Sequence, residues 1–278
     1  MIVCVYVNDL LYIGNNEKLF AQFKQDMFQE FEMTNNGLMS YVLGNQVQQR
    51  RDGIYLSQEK YIKELLEKFR MSNYGTVNTL VVTNYKLSRE WEGEEVNALQ
   101  YKSLIESLRY LTITRQNIVY GVSLLSRYME TPRETHWQAG KRILRYVKGS
   151  MNLGLRYVYG ERFELIGYSD SDLGRDPIER KSTIGYVFFG ASTTFSWTSK
   201  KKSIVALSSC ETEYIALVST VCDIIWLKNL LDSLKHLQKA TTVLVDNMST
   251  IKLAKNPVQH EMSKHINTRF HFIRDHVK

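Results

Sequence analysis

Three acidic stretches stand where apolar runs end. In Leu165–Asp176, LIGYSDSDLGRD, residues Phe163, Leu165 and Gly167 alternate with Ile166, Tyr168 and Asp170, the period of a strand whose two sets face opposite sides of a sheet. Asp172 shares the Asp170 face if that strand continues. In Ser208–Ala216, SSCETEYIA, Glu211 and Glu213 open a long helical pattern. Asp246 ends a second apolar run, Thr242–Val245, directly before a polar turn. Acids from two strand ends and one helix start can converge on a divalent cation. Mg²⁺ takes hard oxygen ligands in octahedral geometry and keeps several waters. Two such ions about 3.5–4 Å apart can clamp the attacking and leaving oxygens of a phosphodiester. Local causes place acids in the same positions: turns favour Asp, and helix N-termini favour Glu. Glu211 and Glu213 are two apart, about 200° round a helix, so they cannot both face one ion. Spacing alone does not choose between them.

The elements that must position these acids are readable in outline. Strand-like runs at Phe163–Ser169, Thr183–Phe189 and Thr193–Trp197, with turns at Asp176-Pro177 and Gly190, suit an antiparallel meander. Ser208–Leu234 is helical and long enough for two helices in tandem, and a helix Thr250–Lys255 ends at Asn256-Pro257. Upstream, Ile2–Val7 and Leu10–Ile13 flank Asn8-Asp9 as a hairpin would. Glu17–Phe31 carries a helical apolar stripe. Met39–Gln48 reads as a strand with Gly44 marking a close approach or a bulge, and Ser57 caps a helix from about Gln58 to Phe69. Ser72–Asn97 is polar and irregular, the linker candidate. Helices follow at about Leu99–Thr112 and Ile118–Tyr128. A third opens with Thr131 as N-cap, Pro132 at the first helical position and Glu134 completing a capping box, and ends at Gly149.

The 278 residues suffice for roughly two domains, and 44% hydrophobic content is that of a globular chain. An excess of 36 basic over 29 acidic residues gives +7, which fits a polyanionic partner without demanding one. Lys141, Arg142, Arg145 and Lys148 cluster on the third helix; Arg180-Lys181 and Lys200, Lys201 and Lys202 bracket the meander. Such clusters are ordinarily solvated faces, but Arg180-Lys181 and Lys200–Lys202 lie near the acids, where phosphates would pass. Cys4, Cys210 and Cys222 are odd in number and far apart, which suggests reduced thiols in an intracellular protein and no zinc pattern. His260, His265, His271 and His276 lack Cys or acid partners at ligand spacing. The apolar start MIVCVYVNDLLYIG has no basic leader, includes Asn8 and Asp9, and is neither a signal peptide nor a membrane span.

YSDSD, then RKSTIGYVFF, FSWTSKK, ALSSCETEYIA, WLKNLL, VDNMSTIKLAKNP and SKHINTRFHFIRD resemble, in order and spacing, the RNase H domain of copia-type retrotransposon Pol polyproteins. The resemblance extends upstream to the first residues. It implies an α/β chain: a reverse transcriptase palm remnant and first thumb helix over 1–71, a linker over 72–97, a helical thumb and connection over 98–160, and an RNase H-like domain over 161–278 with a mixed five-stranded sheet reduced to four. It assigns the metal-binding role to Asp170, Glu213 and Asp246, with Asp172 and Glu211 auxiliary, and two Mg²⁺ or Mn²⁺ ions as cofactors. It places the third helix in the thumb and connection that hold an RNA–DNA hybrid, which makes Lys141, Arg142, Arg145 and Lys148 phosphate contacts. Tyr6-Val7-Asn8-Asp9 stands where the family reads Tyr-Val-Asp-Asp, so Asn8 and Asp9 are a vestigial polymerase site, and Asn267 stands at a family Asp. The fourth RNase H carboxylate of the family lies beyond Lys278, so the expectation is a fragment truncated at both ends, without polymerase activity and with weak or no RNase H activity. The implied partners are an RNA–DNA hybrid and the remainder of a Pol polyprotein, with no membrane and no small-molecule cofactor. The implied location is a cytoplasmic virus-like particle or the nucleus. A binding remnant or domesticated module without catalysis is the alternative.

Overall fold

The computed structural model describes residues 1–80, 93–174, 176, 179–203, 205–236, 240–255, 272–273 and 275–276. His260, His265, Asn267 and His271 lie outside the described residues; His276 sets its Nδ1 2.7 Å from the Phe272 carbonyl. The chain forms two compact units, Met1–Met39 and Ser40–Lys278, and both α-helices and β-sheets build it.

In the first unit β1 (Ile2–Tyr6) and β2 (Asp9–Ile13) form an antiparallel hairpin, and α1 (Glu17–Glu30) follows. Tyr6 pairs with Asp9, so the turn is Val7-Asn8, one residue earlier than Asn8-Asp9. Val7 takes the positive φ of 49° there, and Asp9 becomes the first residue of β2. The Asn16 side chain accepts from the Leu19 N–H to start α1, and Tyr12 packs edge-on against Phe20 and Phe23.

The second unit begins with β3 (Tyr41–Val42), β4 (Asn45–Arg50) and β5 (Gly53–Ser57). The stretch expected as one strand is a hairpin, and Gly44 marks a close approach, since a Cβ there would run into the Tyr110 hydroxyl. Leu43 and Gly44 both have positive φ, 46° and 75°, the requirement of a two-residue turn that reverses the chain. After α2 (Glu59–Lys68) come α3 (Ala98–Leu111), a 3₁₀ turn Gln116–Ile118, α4 (Val119–Leu125), a second 3₁₀ turn Ser126–Tyr128, and α5 (Glu134–Lys148). Ile62, Leu66, Leu104, Leu108, Ile143 and Leu144 are fully or almost fully buried in the core these helices share. The start of α5 differs from the sequence expectation. Its N-cap is Arg133, whose N–H donates to His136 Nδ1 at 3.0 Å; Thr131 does not cap it. The cause is a long-range contact: Arg133 bridges Glu95 in antiparallel pairing, and the Pro132 carbonyl accepts from the Val96 N–H, which keeps 132–133 extended.

Strand β6 (Leu155–Val158) pairs with β5 and completes a sheet of order β3-β4-β5-β6. The last sheet contains β7 (Leu165–Ser171), β8 (Thr183–Gly190), β9 (Thr193–Lys201) and β10 (Thr242–Val245), in order β10-β7-β8-β9. β7, β8 and β9 form an antiparallel meander, and β10 lies parallel to β7. Among the described residues this mixed sheet has four strands. One continuous helix, α6 (Ser209–Ser233), packs on it rather than two in tandem, and α7 (Met248–Lys255) follows β10. α6 is long and apolar enough to cross a membrane, but Tyr214, Leu217, Ile224 and Leu227 are buried against the sheet side.

Alternate residues of β7 are buried: Leu165, Gly167 and Ser169 face α6, while Tyr168 and Asp170 are exposed. Ser169 Oγ accepts from Thr220 Oγ1 at 3.0 Å, and Ser171 Oγ bonds Thr212 Oγ1 at 2.9 Å. Gly167 allows this approach, because a Cβ there would lie 3.1 Å from Phe188 and 3.6 Å from Ile224. Gly167→Val is expected to cost roughly 1–3 kcal/mol by overpacking. Denaturant unfolding checks this; a variant as stable as the parent would show that the helix–sheet contact has slack.

Candidate metal centre

Parallel pairing sets Val245 beside Ser169, so the residues that follow, Asp246 and Asp170, emerge next to each other at one end of the sheet. α6 enters from the same end with Glu213 in its second turn. The Ser208 side chain accepts from the Glu211 N–H at 3.1 Å and starts that helix. The structure brings together one carboxylate oxygen each from Asp170, Glu213 and Asp246, all within 4.8 Å of one another. Asp246 is followed by Asn247, whose side chain accepts from the Thr250 N–H and opens α7, and Thr250 Oγ1 donates to the Cys210 carbonyl at 3.1 Å. α6 and α7 are thereby joined at the acid end.

Glu213 is 5% exposed, and its two oxygens have different surroundings. Oε1 accepts from the Ser171 N–H at 3.1 Å, whereas Oε2 is buried without a hydrogen-bond partner. Burial, then the negative charges of Asp170 and Asp246, push the Glu213 carboxyl up to about 7, against the opposing pull of the Ser171 N–H. A buried unpaired carboxylate oxygen beside two further carboxylates suits a hard divalent cation, which would supply the missing positive charge.

Asp172 and Glu211 are held elsewhere. Asp172 Oδ1 accepts from the Thr183 N–H at 2.8 Å, and its own N–H donates to the Thr183 carbonyl, closing the end of β7 against β8. Glu211 Oε2 accepts from the Leu207 N–H at 2.8 Å, part of the α6 start. The Ser-x-x-Glu spacing of Ser208 and Glu211 is the sequence signal for that capping role.

The basic residues divide in the same way. Lys201 meets Asp176 at 2.6 Å and Glu179 at 3.2 Å, and Lys181 meets Glu179 at 2.5 Å. Asp176 is also 3.4 Å from Arg127, a residue not singled out by its sequence context. Lys202 Nζ is 3.5 Å from Ser219 Oγ; Arg180, at positive φ, and Lys200 are exposed. On α5, Lys141 lies over the Trp137 ring, while Arg142, Arg145 and Lys148 donate to residues of 72–79. Asn8 and Asp9 are exposed in the first unit. An open cleft of about 630 Å³ covers the sheet face that carries Asp170, walled by Tyr120, Tyr168, Phe189 and Trp197.

Residues 1–83 match a family model described as reverse transcriptase (RNA-dependent DNA polymerase). The chain is 37% identical over its full length to the retrovirus-related Pol polyprotein from transposon TNT 1-94 of Nicotiana tabacum, covering 22% of that protein. It is 35% identical over 99% of its length to the Pol polyprotein from transposon RE1 of Arabidopsis thaliana, covering 19%. A putative transposon Ty5-1 protein of Saccharomyces cerevisiae is 30% identical over 80% of the chain and 73% of its own length. The chain thus spans about a fifth of the Pol polyproteins it matches.

The site carries a pH signature. Folded Glu213 holds its proton up to about 7, against an ordinary value of 4.5. The folded state therefore binds the extra proton between those values, and stability falls as pH rises across that window. Without divalent cation, unfolding free energy is expected to drop by about 1–3 kcal/mol from pH 4.5 to 7 on this account. Glu213→Gln should flatten the profile; an unchanged slope in that variant would assign the effect to other groups.

Proposed function

From the premise that the chain belongs to the copia-type retrotransposon Pol family, with a reverse-transcriptase-like domain in its first 83 residues, we propose that its second unit serves metal-dependent hydrolysis of RNA in RNA–DNA hybrids. The carrying observation is the meeting of Asp170, Glu213 and Asp246, with Glu213 Oε2 buried and unpaired. In this reading 161–278 is an RNase H-like domain, and the remaining Pol domains and a hybrid duplex are its partners. The meander with a parallel neighbour strand, which positions two of the acids at adjacent strand ends, supports that assignment.

Asp170, Glu213 and Asp246 would hold Mg²⁺ or Mn²⁺. A bound pair supplies activation of water and neutralisation of charge on the leaving 3′ oxygen. The chain's own residues do the positioning. The Ser171 N–H fixes one Glu213 oxygen and leaves the other free for a ligand role. The Thr212 and Thr220 hydroxyls lock α6 to β7, so the Glu213 backbone keeps its place when charge changes. Strand choice would follow from the 2′-hydroxyl and the shape of the hybrid. Polymerisation is not proposed: Asn8 supplies a neutral amide beside Asp9, a poorer Mg²⁺ ligand than a carboxylate.

The test is cleavage of a labelled RNA–DNA hybrid with Mg²⁺ or Mn²⁺. Cleavage of the RNA strand is expected, lost on chelation and lowered by roughly 100-fold or more in Asp170→Asn. Hybrid binding with no RNA cleavage in either metal would overturn the hydrolytic reading in favour of a binding module.

A further inference from the structure

Helix α5 presents Arg142, Arg145 and Lys148 to a single neighbouring segment, Ser72–Thr79. Arg142 Nη2 donates to Thr79 Oγ1 at 2.5 Å, and Arg145 Nε donates to the Gly75 carbonyl at 2.6 Å. Lys148 Nζ donates to the Ser72 and Tyr74 carbonyls at 2.6 and 2.8 Å. Every acceptor is neutral, and among the described residues none of the three cations makes an ion pair. Arg142 Nε is buried without a hydrogen-bond partner, so the segment leaves donor capacity as well as charge unmatched. The segment is also incompletely seated. Tyr74 lines a cavity of about 430 Å³ together with Leu124, Ala139 and Ile143 of α4 and α5, and Ser72, Tyr74, Gly75, Thr76 and Thr79 are exposed.

We propose that Ser72–Thr79 is a displaceable strap that competes with nucleic-acid phosphates for Arg142, Arg145 and Lys148. Closed, its carbonyls hold the donors; opened, phosphate oxygens replace them. The exchange favours the polyanion, because a charged acceptor makes a hydrogen bond roughly twice as strong as a neutral one and neutralising phosphates releases counterions. Lifting the strap uncovers the cavity rather than a packed core, and severs only exposed contacts. The inference rests on the nucleic-acid reading given above and adds a control element to it.

Gly149, just after α5, provides a lever. Its φ of −69° suits any residue, and a Cβ there would lie 3.2 Å from Thr76 Cβ, so Gly149→Val presses the strap outward. Thr79→Ala removes Arg142's acceptor at an exposed position, where folding is not at stake. The probe is a labelled RNA–DNA hybrid titrated at several salt concentrations. Both variants are expected to bind it more tightly, Gly149→Val by about two- to fivefold and Thr79→Ala by less, because the competent state is more populated. Arg145→Ala should weaken binding, and hybrid should speed chymotrypsin cleavage after Tyr74 in the parent chain. Unchanged or weaker binding by both strap variants, with Arg145→Ala still weaker, overturns the strap and leaves nucleic-acid binding standing. If no form binds hybrid even at low salt, both readings fall.

Discussion

Three carboxyl groups are held within 4.8 Å of one another, and like charges at that distance repel. The rest of the second unit is arranged to impose this proximity. Parallel pairing of Val245 with Ser169 fixes two of the acids side by side. The third arrives on a helix bolted to the same strand at Ser169 and Ser171, the residues either side of Asp170. The backbone N–H of Ser171 then grips Glu213 itself. Strand, helix and neighbour strand are therefore tied within three residues of the chain. Crowding is relieved by proton uptake at Glu213, the most buried of the three, or by a cation.

The far side of the sheet is anchored differently. Trp197 Nε1 donates to the Thr112 carbonyl at 2.9 Å, and Ser123 Oγ to the Ser199 carbonyl at 2.9 Å, which fix β9 to the helical layer. Buried Asp176 gathers Arg127 and Lys201, and Glu179 gathers Lys181 and Lys201. Lys181 and Lys201 thus hold the loop between β7 and β8. A surplus of seven positive charges is spread over structural and exposed positions alike, so net charge alone is a poor map of a nucleic-acid surface.

Residues whose meaning is local were legible in the sequence. Thr242–Val245 reads as a strand from its β-branched apolar run and polar stop, and it is one. The alternation Ile166, Tyr168, Asp170 shows which side of β7 is exposed. Where distant contacts decide, local signals mislead. Thr131-Pro132 looks like a helix start, but pairing of Arg133 with Glu95 keeps the chain extended and delays α5. Leu155–Val158 shows little as a run of residues; its strand exists because β5 offers a free edge to pair with. Leu43 hides the hairpin turn it shares with Gly44, since a branched side chain seldom takes positive φ. The choice of Glu213 over Glu211 is not in the helical spacing. It follows from which side of α6 meets Ser171.

The most direct measurement is a calorimetric titration of Mn²⁺ into the chain at about pH 8, where Glu213 is ionised without help from the metal. If the three carboxyl groups form one cation centre, the parent chain binds Mn²⁺, and Asp170→Asn, Glu213→Gln and Asp246→Asn each weaken that binding, while Glu211→Gln and Asp172→Asn leave it nearly unchanged. Equal binding by the parent chain and all three site variants, or stronger loss at Glu211 than at Glu213, would contradict the account.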